Sequence, residues 1–114
     1  MAATLRRLPR EPFPYVLEAD REKPEAERPR FIIRPPSRRE WAAIVDAAPG
    51  NNSALFEAAA QCIERVENHP DSGAFGAPNT DARRLYLDDV STEVIRELGN
   101  QVALTQLKEP ERKN

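Results

Sequence analysis

The sequence predicts a small α+β domain in which an N-terminal β-hairpin packs against about three α-helices. Two short segments, residues 14–20 and 30–34, have the alternation and the β-branched content of strands, and a charged loop separates them. Three later segments, which begin near residues 37, 52 and 91, carry apolar residues at helical spacing. A lone hairpin is marginal in water, so the helices must cover one of its faces.

The length of 114 residues suggests one domain with a small core. Residues 1–13 are proline-rich and charged, and they lack apolar periodicity, which predicts an extended N-terminal arm. The domain is then expected over residues 14–107. Residues 108–114 are polar and predict a frayed C-terminal tail.

The first helix has a strong start signal in the stretch Ser37–Glu40. The Ser37 hydroxyl can accept a hydrogen bond from the Glu40 amide, and the Glu40 carboxylate can reach back to the Ser37 amide, which makes a capping box. Two prolines at 35–36 stop the preceding strand. Helical spacing then predicts a buried face made of Trp41, Ile44, Val45 and Ala48. Trp41 is expected to pack on the sheet.

The second helix is expected to start at Asn52 or Ser53 and to continue to about Asn68, before a His-Pro pair. Its apolar stripe consists of Leu55, Ala59, Cys62, Ile63 and Val66.

The third helix starts at Ser91, and its inward residues are Val94 or Ile95, Leu98, Val102 and Leu104. Gly99 weakens this helix by about 1 kcal/mol relative to alanine unless close packing requires it. Between the second and third helices, residues 69–82 have the composition of a loop, which Phe75 can anchor. The following stretch, 83–89, is interpreted as an extended segment or turn.

The composition and the absence of known motifs argue against several classes of function. A net charge of −2 and a pI of about 5.5 argue against a dedicated nucleic-acid binder. A single cysteine leaves no intrachain disulfide and no cysteine-rich metal site. No phosphate-binding, dinucleotide-binding, zinc-protease or serine-hydrolase motif is present, so no cofactor is expected. No signal peptide and no apolar run of membrane-spanning length is seen, which predicts a cytoplasmic protein without a membrane partner.

Cys62 and His69 are the only pair that suggests an enzyme. Seven residues are about two helical turns, so a Cys–His dyad is conceivable if the second helix extends this far. Cys62 lies on the apolar stripe, however, where a free cysteine behaves as a small hydrophobe. We therefore expect Cys62 to be structural, and we expect no catalytic residue and no metal ligand in this chain.

Three arginines, Arg34, Arg38 and Arg39, are the candidate contacts for a partner. They can meet an acidic protein or a phosphate backbone, or they can simply be the exposed first turn of the helix. Residues 30–41 carry four arginines and one glutamate, whereas residues 42–82 carry one arginine and six acids. Such polarity also suggests head-to-tail packing against copies of the same chain.

The stretch "PYVLEADREKPEAERPRFIIRPPSRREW" resembles small proteins from the morphogenesis gene clusters of tailed phages. Those proteins often have a strand ending in "LEAD" and a second strand that runs into "LRPLT-x-RE". The matching residues here are Arg34, Pro35, Arg39 and Glu40, with Pro36-Ser37 in place of Leu-Thr. The end also resembles their closing helix and tail, at Glu97, Leu98, Leu107, Glu109, Glu111, Lys113 and Asn114. The resemblance covers both ends and is loose between them.

The resemblance implies a non-enzymatic protein that binds other phage structural proteins, or copies of itself, during tail assembly in the host cytoplasm. It equally implies a minor capsid or head–tail component that stays in the virion. A regulatory module that binds nucleic acid through its arginines is the alternative of another class.

Overall fold

A computed structural model describes residues 10–47, 50–69, 72–75 and 80–107. The described residues form one antiparallel sheet in the order β1-β2-β3 and four helices, which confirms the α+β class. The elements are β1 Phe13–Tyr15, β2 Arg30–Ile33, α1 Arg38–Ala47, α2 Asn51–Cys62, β3 Ile63–Glu67, α3 Asp81–Asp88 and α4 Thr92–Leu104. The predictions for residues 1–9 of the arm, for Ala48 and for the tail at 108–114 lie outside the described residues.

The predicted hairpin is present as β1 and β2, with Tyr15 opposite Phe31, but β1 is shorter than the predicted strand. Two positions further along this register, Leu17 would lie opposite Pro29, which has no N–H to donate to the ladder. The chain turns instead, and Glu18–Asp20 forms a 3₁₀ turn. The prediction of a strand as far as residue 20 was therefore wrong.

A third strand, β3, stands where the sequence predicts the end of the second helix. Val66 lies opposite Phe31 and Ile63 lies opposite Ile33, with a register shift between Ile32 and Ile33. The shift leaves one additional residue in β3, which is a bulge. In a regular strand, residues three apart face opposite sides. The bulge lets both Ile63 and Val66 be buried. Their spacing of three residues, which is typical of a helix, therefore occurs here in a strand.

The helix α3 is additional to the three predicted helices. It stands where the sequence predicts an extended segment or turn over residues 83–89. The Thr80 hydroxyl accepts a hydrogen bond from the Arg83 amide (3.2 Å) and caps its start. Arg83 and Leu87 share one face at a spacing of four and are both buried. Phe75 is buried beneath this region, as predicted, and meets the Tyr86 ring edge-on at 5.3 Å.

The helices α2 and α4 form the interior of the domain. A Cβ atom at Gly99 would lie 2.7 Å from the Cβ of Leu55 and equally close to its backbone carbonyl oxygen. Close approach therefore requires glycine at this position. Ile95, Leu98 and Val102 of α4 are buried as predicted.

Three details of the helices differ from the predictions. Gly50, with φ of 96°, is the N-cap of α2, in place of Asn52 or Ser53. Val45 and Leu104, both predicted to face inward, are 44% and 40% exposed. Ser91, in contrast, caps α4 as predicted, because its hydroxyl accepts a hydrogen bond from the Val94 amide (3.3 Å).

Candidate functional site

The turn from β2 into α1 is a rigid corner built by the capping box. The Glu40 carboxylate accepts a hydrogen bond from the Ser37 amide (2.8 Å), and the Ser37 hydroxyl accepts one from the Glu40 amide (3.1 Å). The Ser37 amide, together with the Arg34 guanidinium, holds the pKa of Glu40 below its usual range. Trp41, which follows, is half-buried and packs against a core cluster that contains Ile33 of β2.

We name the arginines of this corner, together with its one carboxylate, the basic corner: Arg10, Arg34, Arg38, Arg39 and Glu40. Arg34 pairs with Glu40 (3.1 Å). Arg34 and Arg38, with Arg10, line one cavity of about 430 Å³. Arg39 is exposed and lies outside the lining of that cavity. The structure therefore brings two of the three predicted contact arginines together.

A second surface, which the sequence did not indicate, lies along α4. We name it the acidic groove, and it is formed by Tyr15, Glu18, Glu93, Glu97, Leu104 and Leu107. Its cavity has a volume of about 590 Å³. Leu104 is 40% exposed and Leu107 is 81% exposed, so the groove combines carboxylates with uncovered apolar side chains.

Glu97 fixes one wall of the acidic groove. Its Oε2 accepts hydrogen bonds from the Tyr15 hydroxyl (2.5 Å) and from the Glu18 amide (2.8 Å). Burial, the hydrogen bond and the nearby Glu97 charge raise the pKa of Tyr15 to about 12. Arg21 lies over the Tyr15 ring, 5.4 Å from its centroid. Glu93, one turn before Glu97, is exposed to solvent.

The basic corner and the acidic groove meet at the last turn of the described chain, just after α4. Gln106 donates from its side-chain amide to the Pro36 carbonyl (2.9 Å), and its backbone carbonyl accepts from the Arg38 guanidinium (3.4 Å). The next residue, Leu107, lines the acidic groove. The two surfaces therefore adjoin at this turn, with the arginines on one side of it and the glutamates on the other.

Cys62 and His69 do not form a dyad. Cys62 ends α2 and is buried beside Ile33 and Val102, and burial raises the pKa of its thiol to about 11. The five residues of β3 follow it, each advancing the chain about 3.3 Å, so the end of this strand lies about 16 Å from Cys62, and His69 comes two residues later. A helix continuing to residue 69 would have placed Cys62 and His69 about two turns apart on one side, but α2 ends at Cys62.

Arg83 is a buried arginine that sequence reasoning missed. Its guanidinium donates to the carbonyls of Ala60 (3.2 Å), Ile63 and Phe75 (2.7 Å) and lies over the Phe75 ring. The carbonyls of Ala60 and Ile63 belong to the last turn of α2 and to the residue after it. Carbonyls at the end of a helix lack an N–H partner within the helix, and a cation there can donate to them. Burial lowers the pKa of Arg83 to about 10. Arg83 is therefore a structural link between α2, α3 and the turn at Ser72–Phe75.

Within the described ranges, no group of three or more histidine, cysteine or acidic side chains is placed to hold a metal ion. Among the same residues, no helix has the length and apolarity needed to cross a membrane.

No family model, curated protein or solved structure matches the chain. The resemblance to phage morphogenesis proteins accordingly stays a prediction, and the function must be argued from the surfaces described above.

Proposed function

We infer that this chain is a non-enzymatic assembly protein of a tailed phage that acts by binding another phage protein. The sequence resemblance at both ends of the chain suggests the biological setting. The observation that carries the binding role is the acidic groove, in which Leu104 and Leu107 stand uncovered and which Glu18 and Glu93 also line. Exposed apolar side chains bordered by charge are typical of protein-docking surfaces.

Two versions of this role are open. In the chaperone version, the protein shields an apolar segment of a tail protein until that protein polymerises. Helix packing along α4 or strand addition at β1 would supply the contacts. In the virion version, the domain stays in the particle as a minor capsid or head–tail component and contacts its neighbours through the same surface.

Mass spectrometry of purified particles separates the two versions. The virion version requires the chain in the particle at a fixed copy number. The chaperone version requires its absence from the particle and its recovery from infected cells in complex with a tail protein. Failure to recover the chain in either state would overturn the assembly role.

A matched pair of variants tests the surface. Leu107→Asp places a charge among the groove's exposed leucines and should abolish co-purification of the partner. Leu85→Asp is the control, because Leu85 is 69% exposed on α3 and does not line the groove. Equal loss of the partner with both variants would mean that the acidic groove is not its binding site.

A further inference from the structure

We propose that the face formed by the acidic groove and the basic corner binds a second copy of this chain, in a dimer with two-fold symmetry. The proposal deepens the inferred function and rests on it in one respect, since it takes this face to be a protein-docking surface. The partner in this dimer is a second copy of the chain, which presents the same face.

The charges along this face are separated by sign. Glu93 and Glu97 lie in the first half of α4, and Glu18 borders them. The basic corner lies beyond the other end of α4 and contains four arginines against one glutamate. Eleven residues of helix, which are about 16 Å, separate Glu93 from Leu104. The two charged regions are therefore far enough apart for each to meet a separate region of a partner.

The centre of the face is apolar. The spacing of Glu93, Glu97 and Leu104 places all three on one side of α4. Leu107, in the turn that follows, extends the same groove and is 81% exposed. Surface ion pairs alone contribute little in salt, so the leucines supply the area whose burial stabilises the complex.

A face with this order of acid, apolar centre and base is complementary to itself after a rotation of 180°. The acids of one copy then meet the arginines of the other, twice per dimer, and the leucines meet at the axis. An acidic protein would match only the basic corner, and a basic protein would match only the groove. A second copy matches both ends, and this favours it as the occupant.

The test uses two full-length variants with opposite charge reversals. One carries Arg38→Glu and Arg39→Glu, and the other carries Glu18→Lys and Glu93→Lys. In each variant alone, both contacts of the dimer become repulsive, and we expect its dissociation constant to rise about tenfold or more. In a mixture of the two, both contacts become attractive again, so a one-to-one heterodimer should form.

Sedimentation equilibrium of the wild type, of each variant and of the mixture measures these outcomes, with circular dichroism to verify that the variants are folded. The wild-type dimer should weaken as salt is raised. Leu107→Asp should dissociate it and Leu85→Asp should leave it intact. A wild type that stays monomeric at all concentrations, or a mixture that does not form heterodimers, overturns the proposal. Alternating polymers in the mixture would also overturn it, since they indicate a head-to-tail contact.

This proposal and the assembly role fail separately. Self-association is measured on the purified chain, and the assembly role is measured on particles and infected cells. A monomer that co-purifies with a tail protein through Leu107 overturns only the dimer. A dimer that is found in no particle and in no complex overturns only the assembly role.

Discussion

The molecule uses arginine in two contrasting ways. Arg38 and Arg39 are exposed in the first turn of α1, whose shape is set by Ser37 and Glu40. Arg34, just before this turn, is partly exposed and pairs with Glu40. Arg83 is completely buried, and its guanidinium joins the end of α2 to the turn that holds Phe75. The first group keeps solvent-exposed surface that a partner could contact, whereas Arg83 is committed to the fold. Arg38-Arg39 and Arg83-Arg84 are the same dipeptide, so the difference shows that a structural arginine has to be recognised from what surrounds it.

The largest effect that we expect comes from Arg83→Ala. It leaves three carbonyl oxygens of the interior without their donor and creates a cavity, which should lower the free energy of unfolding by about 3–4 kcal/mol. Urea denaturation measures the change.

Arg84→Ala is the matched control for this substitution. Arg84 is the next residue and pairs with Glu57 (2.7 Å), but both side chains keep partial contact with solvent. Its loss should cost about 1 kcal/mol or less. If the two variants are destabilised equally, the contrast between the buried and the solvent-accessible arginine is wrong.

The second effect tests the packing of the interior. Gly99→Ala improves helix propensity by about 1 kcal/mol, but the added Cβ would overlap Leu55, so we expect a net loss of about 1–3 kcal/mol. Gly73→Ala is the control, because a Cβ there meets no atom within 4 Å and its φ is not positive. Thermal unfolding measures the change in melting temperature of both variants. A stabilised Gly99→Ala protein would show that α2 and α4 leave room for a Cβ between Gly99 and Leu55.

The third effect concerns the corner. Ser37→Ala removes one bond of the capping box and should cost about 1 kcal/mol in chemical denaturation at neutral pH. Because the pKa of Glu40 is lower in the folded state, its contribution is present above the ordinary carboxyl pKa and is lost as the pH falls through the folded value.

The cost of Ser37→Ala should therefore shrink in acid, when the reciprocal Glu40 bond is also weakened. An unchanged cost across this range would mean that the two bonds act independently.

The smallest effect is expected from Arg39→Ala, which should change the free energy of unfolding by less than about 0.5 kcal/mol, because Arg39 is exposed. The measurement is again urea denaturation, now set beside Arg83→Ala. A large loss of stability would show that this arginine too belongs to the fold, and would remove it from the candidate contacts.

Much of the fold could be predicted because its signals are local. The hairpin, the capping box at Ser37, the cap at Ser91 and the burial of Phe75 each depend on a few neighbouring residues. The strand β3 and the helix α3 could not be predicted in the same way. Ile63 and Val66 have helical spacing, and only their pairing with Phe31 and Ile33 across a bulge makes them a strand.

The candidate site was less predictable than the fold, since it depends on residues far apart in the sequence. The arginines of the basic corner are adjacent in the chain and were identified. The acidic groove joins Tyr15 and Glu18 to residues of α4 about eighty positions later, and no sequence pattern connects them. The sequence also placed Leu104 inside the core, and the structure exposes it in this groove.

The hydrogen bond between Tyr15 and Glu97 has a consequence for biosynthesis. It joins the first strand to the last helix across 82 positions, and Glu18 reaches the same carboxylate. A ribosome releases the N-terminal hairpin long before it has made α4. Until then the hairpin lacks the helix on which Tyr15 rests, and α2 lacks the neighbour that fits against Leu55. The packing of the described residues is therefore completed only when α4 emerges, and a chain that stalls before α4 would expose the apolar surfaces that α4 covers.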